Sequence, residues 1–101
     1  MHYGVDLAIA HGTRIGAADG GTVTFAGYNG SFGYLIIIDH GANMQTYYAH
    51  CSVLHVKRGD KVFQGQHIAN VGSTGRSSGP HLHFEVHVNG VARNPLNYLN
   101  R

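Results

Sequence analysis

Tryptophan is absent from these 101 residues, cysteine occurs once and proline twice. The lone Cys51 excludes an intramolecular disulfide framework and carries no information about compartment. Charge is scarce: 12% of residues are Asp, Glu, Lys or Arg, with seven basic against five acidic and a formal net charge of +2. Nucleic-acid recognition wants a larger basic face than this. The only local concentration of positive charge, Lys57, Arg58 and Lys61, is interrupted by Asp60 and reads as a solvated turn. No apolar run approaches a membrane span, since Leu35 to Ile38 suffices only for a core strand. A secretory signal is missing too, and with His2 beside the first residue the sequence reads as an excised domain.

Runs of Ala, Glu, Lys and Leu are likewise missing, which argues against a helical bundle. What is present instead is glycine, 15 residues of it, together with β-branched residues, a balance that predicts short strands joined by tight turns. Thr22–Tyr28 alternates with period two after Gly20-Gly21, and Asn29–Gly33 reads as a turn. Tyr34–His40 predicts a strand buried on both faces, followed by a Gly41-Ala42-Asn43 turn and a strand over Met44–His50, the two forming an antiparallel hairpin. Arg58-Gly59-Asp60 predicts a turn, Gln66–Val71 a short strand, Ser73–Pro80 a Ser/Gly-rich loop, and His81–Val88 an alternating strand ended by the hairpin dipeptide Asn89-Gly90. Pro95 suits the first turn of a short C-terminal helix. The expected fold is a single all-β domain over residues 1–101, mostly antiparallel and built round one core.

Nine histidines in so short a chain demand a reading by spacing, because histidine is both the commonest metal ligand and the usual proton shuttle near neutral pH. Alternation puts Leu82, Phe84, Val86 and Val88 in the core and His81, His83, Glu85 and His87 together on the other face, neighbours there lying roughly 6.5–7 Å apart. Two imidazoles so placed can serve one small site, one holding a metal and the other reaching a water. Parity alone does not choose between His81 and His83. His2-Tyr3-Gly4-Val5-Asp6 adds a histidine and a carboxylate, which a straight strand would separate by roughly 13 Å, so a bend eased by Gly4 is expected to lead into a strand. His50, ending Tyr47-Tyr48-Ala49-His50, shares parity with Tyr48 and Thr46. Three protein ligands with an open fourth position is the pattern of a catalytic zinc site. Cys51 reads as a small buried residue, and His11, His40, His55 and His67 as ordinary structural or surface positions without ligand partners at useful spacing.

Taken together, His2-x-x-x-Asp6, Tyr48-Ala49-His50 and Gly79-Pro80-His81-Leu82-His83-Phe84-Glu85 resemble the zinc endopeptidase family of lysostaphin and LytM. Gly12-Thr13, Ala17–Gly20, Val62-x-x-Gly65-Gln66 and Gly72–Gly75 agree as well, so the resemblance covers essentially the whole chain. It implies an open groove in a mostly antiparallel sheet, one Zn2+ per domain held by His2, Asp6 and His83, and His50 and His81 as the two histidines beside the catalytic water. It further implies hydrolysis of peptide cross-links or stems of bacterial peptidoglycan, outside the cytoplasm, in the periplasm or at the cell wall. Within the peptidoglycan, a bond between D-alanine and a diaminopimelate side chain is preferred over a glycine bridge. Tyr48, or Tyr47 if parity is misread, and Ser73, Thr74 and Gly75 are expected to line the groove. The chain departs from the pattern in lacking the strand sequence usual ahead of the first ligand, in Cys51 where leucine is common, and in His11 where proline is common. The alternative is a non-catalytic relative that binds cell wall or activates amidases, or a small β-fold of the kind that carries a swinging cofactor or binds glycans.

Overall fold

The structure, a computed structural model, describes residues 4–94. Among the described residues nine strands make up one antiparallel sheet: β1 (Gly4–Leu7), β2 (Arg14–Gly16), β3 (Gly21–Tyr28), β4 (Tyr34–Gly41), β5 (Met44–Leu54), β6 (Lys61–Val62), β7 (His67–Val71), β8 (Leu82–Val88) and β9 (Val91–Arg93). The order β1-β8-β5-β4-β3-β6 runs across it, with β7 paired to both β5 and β2 and β9 to β8. Among the described residues the only helical element is a single 3-10 turn, Gly30–Phe32, and no helix is long and apolar enough to cross a membrane. The expected all-β, mostly antiparallel architecture is what is found. The anticipated C-terminal helix and His2 lie outside the described residues.

The predicted β4–β5 hairpin forms, with Ile36 opposite Tyr48 and Ile38 opposite Thr46. Adjacent residues Leu35 and Ile36 are both fully buried, so this strand is covered on both faces as its apolar run requires. Asn89 and Gly90 both adopt positive φ, 54° and 76°, the backbone of the turn whose twist matches a two-residue hairpin, and they join β8 to β9. Arg58-Gly59 turns in solvent, where Asp60 accepts the Lys57 backbone N–H at 3.0 Å and pairs with its ammonium at 3.3 Å. Strand β2 had no sequence signal: three residues, two of them exposed and one of these glycine, carry no period.

Strand β5 outruns its prediction, continuing four residues past His50. From Tyr48 to Cys51 it spends one residue more than β4 spends from Ile36 to Tyr34. This is a β-bulge, and His50 occupies it with φ 62°. Beyond the bulge Cys51 returns to the core, fully buried beside Tyr48, Ile36, Val71 and Leu82 in one cluster. Burial pushes its thiol up to about 12, and the thiolate is the reactive form. Native protein at pH 8 should therefore leave Cys51 unmodified by iodoacetamide over hours, with full labelling in denaturant; mass spectrometry of the intact chain reads both.

Candidate active site

Strand β8 is held on both edges. Asp6 of β1 stands opposite His83, and Gly4 opposite Glu85; on the other edge Ala49 of β5 stands opposite His83 and Tyr47 opposite Glu85. Leu82, Phe84 and Val86 are buried, which leaves His83, Glu85 and His87 on the groove face as alternation requires. Glu85 is itself 5% exposed and is satisfied on both oxygens: His83 Nε2 donates to one at 2.7 Å and His87 Nε2 to the other at 2.8 Å. The remaining His83 nitrogen, Nδ1, lies 2.6 Å from Asp6 Oδ1. Gly4 makes room for this ring, since a Cβ there would sit 2.2 Å from His83 Cε1. The glycine of the H-x-G-x-D segment thus meets a space requirement set by β8.

His50 and His81 complete the cluster. The bulge turns His50 out of the Tyr48 face on which its parity placed it, and its ring lies 4.7 Å from that of His81 and 6.1 Å from that of His83. His50 Nδ1 donates to the Thr74 carbonyl at 2.7 Å, while His81 Nδ1 is shared between the Gly79 carbonyl at 2.9 Å and the Ser77 hydroxyl at 3.0 Å. Both rings are therefore anchored through Nδ1, and Nε2 is the nitrogen left for the groove; that of His81 is 3.6 Å from Asp6 Oδ1. Burial lowers the His50 pKa below its ordinary value, the Thr74 hydrogen bond opposing and the neighbouring histidines reinforcing this. A neutral imidazole is the form that accepts a proton.

These side chains open onto a groove of about 470 Å³, lined also by Ser31, Phe32, Arg76, Ser77 and Ser78. The expected groove residues are placed differently. Tyr48 is 1% exposed and its hydroxyl accepts the Ala18 N–H at 3.0 Å and bonds Thr46 at 2.7 Å, so it serves the core. Tyr47 is the tyrosine on the histidine face, stacked on His87 at 4.1 Å. Ser73, Thr74 and Gly75 are not among the lining residues. Thr74 instead braces the site: its carbonyl holds His50, and its hydroxyl donates to the Cys51 carbonyl at 2.6 Å and accepts the Tyr34 N–H at 3.1 Å. Gly75 and Gly33 both have positive φ and touch, a Cβ on Gly75 meeting Gly33 N at 2.3 Å. The Arg76 N–H donates to the Ser31 carbonyl at 2.8 Å. Sequence spacing held no sign of Ser31 and Phe32, which this contact between two loops ties to the groove, the Phe32 ring lying 6.3 Å from those of His83 and Tyr47.

Asp6 and His83 suit a divalent cation. The Glu85 bond orients the His83 ring through Nε2, the arrangement by which a carboxylate fixes a metal-ligating histidine, and it aims Nδ1 at the Asp6 oxygen. Asp6 and His83 would serve as two of the ligands of such a cation, one carboxylate and one imidazole. Among the described residues no three His, Cys, Asp or Glu side chains form a complete ligand group; the third expected ligand, His2, lies outside them.

Fold and groove together define the class: an antiparallel β domain with a histidine–carboxylate site on its open face. The chain belongs to peptidase family M23, whose pattern it matches over residues 1–95. DD-carboxypeptidase/endopeptidase Mpg of Neisseria meningitidis serogroup B is 43% identical over 96 residues, covering 95% of this chain and 22% of that protein. Murein hydrolase activator NlpD of Salmonella dublin is 44% identical over 98 residues, covering 95% of this chain and 26% of that one. Among solved structures, the catalytic domain of the antimicrobial peptidase lysostaphin from Staphylococcus simulans superposes with a TM-score of 0.92 at 36% identity, covering 100% of this chain and 80% of the other. A zinc-containing peptidase from Vibrio cholerae does so at 0.88 and 37% identity, covering 91% and 28%. The chain thus spans about a quarter or less of these curated relatives.

Two outcomes test this geometry. Gly4→Ala should push the His83 ring off its seat and weaken zinc binding about 10–100-fold, as loss of a ligand's support does; chelator competition measures it, and an unchanged affinity would show that the seat is not needed. The second concerns the chelator-treated protein. The His83 hydrogen bond holds the Glu85 carboxyl below its ordinary 4.5, and the Glu85 hydrogen bond raises His83 above 6.5. Glu85 contributes stability fully above 4.5 and loses it as pH falls through its lowered value, while His83 contributes fully below 6.5 and loses it as pH rises through its raised value. The difference in urea midpoint between wild type and Glu85→Gln should peak between pH 4.5 and 6.5 and shrink on both sides.

Proposed function

We propose that this domain is a zinc-dependent endopeptidase that hydrolyses peptide cross-links or stems of bacterial peptidoglycan. The observation that carries the reading is the convergence of Asp6, His83, His50 and His81 on one open groove, with both His50 and His81 anchored through Nδ1. Asp6 and His83, joined by His2, would hold one Zn2+ per domain. Zinc bound there supplies a lowered pKa for water, toward about 7, and polarisation of a peptide carbonyl.

The chain's own residues do the rest. A peptide lies along the groove, against Phe32 and the Arg76–Ser78 segment. His50, neutral because burial lowers its pKa, accepts a proton from the attacking water through Nε2. His81, held by Gly79 and Ser77, presents its own Nε2 beside Asp6; in its imidazolium form, with a hydrogen on both nitrogens, it is placed to stabilise the oxyanion or to protonate the leaving amine. Either histidine can reverse its role at neutral pH. Similarity to a DD-carboxypeptidase/endopeptidase favours the bond between D-alanine and a diaminopimelate side chain. Such a substrate places the domain outside the cytoplasm, in the periplasm or at the cell wall.

A second reading, a non-catalytic activator, has the NlpD similarity in its favour. Retention of Asp6, His50, His81 and His83 in a shared groove speaks for catalysis. Purified peptidoglycan should release muropeptides with the zinc-loaded protein, identified by mass spectrometry, and a chelator should abolish the release. His50→Ala should lower the rate about 10²–10⁴-fold, the usual contribution of an acid–base group. Cleavage undiminished by either treatment sinks the assignment, and an activator-type module should carry no stoichiometric zinc.

A further inference from the structure

A second group of histidines lies away from the groove, where none of its members is a lining residue. His55 directly follows β5, and His67 opens β7. Their rings are 4.3 Å apart at a tilt of 52°. Nε2 of each points at the same atom, Asn70 Oδ1, from 2.5 Å for His55 and 3.1 Å for His67. The Asn70 amide is not free to turn over, because its Nδ2 donates to the Gly12 carbonyl at 2.7 Å. Oδ1 is therefore the atom offered to both rings, and it can only accept. Each Nε2 carries a hydrogen in this arrangement, and the two N–H groups converge on one carbonyl oxygen, one for each of its lone pairs.

We infer that His55, His67 and Asn70 form a second metal site, specific for a transition-metal dication of the copper, nickel and zinc type. A cation bound there would displace both hydrogens from Nε2, each neutral imidazole keeping its one hydrogen on Nδ1 instead, and would be met by two imidazole nitrogens and one amide oxygen. Imidazole donors select copper, nickel and zinc over calcium and magnesium, which prefer all-oxygen sites. With no third His, Cys, Asp or Glu completing a group among the described residues, the donor set is neutral and incomplete. The cation keeps open positions for water or an outside ligand, and it binds more weakly than at a site with a carboxylate.

The frame is already in place. The His55 N–H donates to the Ile68 carbonyl at 2.8 Å, Leu54 stands opposite Ala69 and Val53 opposite Asn70, and Gly12 N–H donates to the Val71 carbonyl at 2.8 Å. Ligand positions on rigid strands lose little freedom on binding. The exposed His55 and half-buried His67 bracket residues 56–66, the excursion that carries the basic turn, so a bound ion would clasp its two ends.

The test uses the whole tag-free chain and zinc itself, counted by competition with a chromogenic chelator. His83→Gln, which disables the groove, should still bind one zinc; adding His67→Gln to it should weaken that remaining ion about tenfold or more, and His55→Gln should do the same. A variant-free arm guards against misfolding: Cu2+ added beyond one equivalent to ¹⁵N-labelled wild type, so that the tighter groove is already filled, should broaden the amide signals of His55, His67, Asn70 and Gly12. Zinc retained by His83→Gln with an affinity indifferent to both substitutions, or broadening confined to the groove, would overturn the site. Because the His83→Gln arm does not depend on catalysis, a failed peptidase assay leaves it readable.

Discussion

His83 sits with one ring nitrogen on Asp6, the other on Glu85 and the face of the ring over Gly4. Every other group in the groove is arranged around this placement. It depends on β8 being paired along both edges, because β1 supplies Asp6 and Gly4 while β5 supplies the strand that carries His50. Glu85 costs desolvation where it lies, and two imidazole N–H donors offset that cost. A buried carboxylate with both oxygens engaged cannot drift, so neither can the ring it orients.

The second constraint is the bulge in β5. A regular strand would send His50 to the face of Tyr48 and Thr46, which is packed core. One extra residue, with φ in the left-handed region at His50, turns the imidazole to the groove and lets Cys51 resume the core. The positive φ is a strain of the kind that persists only when its surroundings over-determine it. Thr74 provides much of that restraint, holding His50 with its carbonyl and the Cys51 carbonyl with its hydroxyl. The Ser/Gly loop thus positions the histidine, while Arg76, Ser77 and Ser78 form the wall itself.

Histidine serves three ends in this small sheet. In the groove it is poised for proton transfer or ligation. Half-buried at the edge of the core, His40 spans the Gly20 carbonyl and Thr46, extending the network that ends on the Tyr48 hydroxyl. At the outer end of β7, His55 and His67 share Asn70. The residue type is the same throughout, and its surroundings decide its chemistry: burial at His50, paired carboxylates at His83, a common amide oxygen at the outer pair.

Alternation alone put Leu82, Phe84 and Val86 in the core and His83, Glu85 and His87 on one face, and apolar runs and turn dipeptides marked the central hairpin and the Asn89-Gly90 turn. These features are local: a strand's period and a turn's φ values are properties of a few successive residues. Family resemblance then nominated Asp6, His50, His81 and His83 together. Tertiary structure alone decided that His50 leaves its parity, that Tyr48 belongs to the core, and that Phe32 and Arg76 line the same groove. It also brought together His55 and His67, which looked unrelated in the chain. Bulges, loop-to-loop contacts and cross-strand neighbours depend on which strands pair and in what register, and that is set by the whole sheet at once.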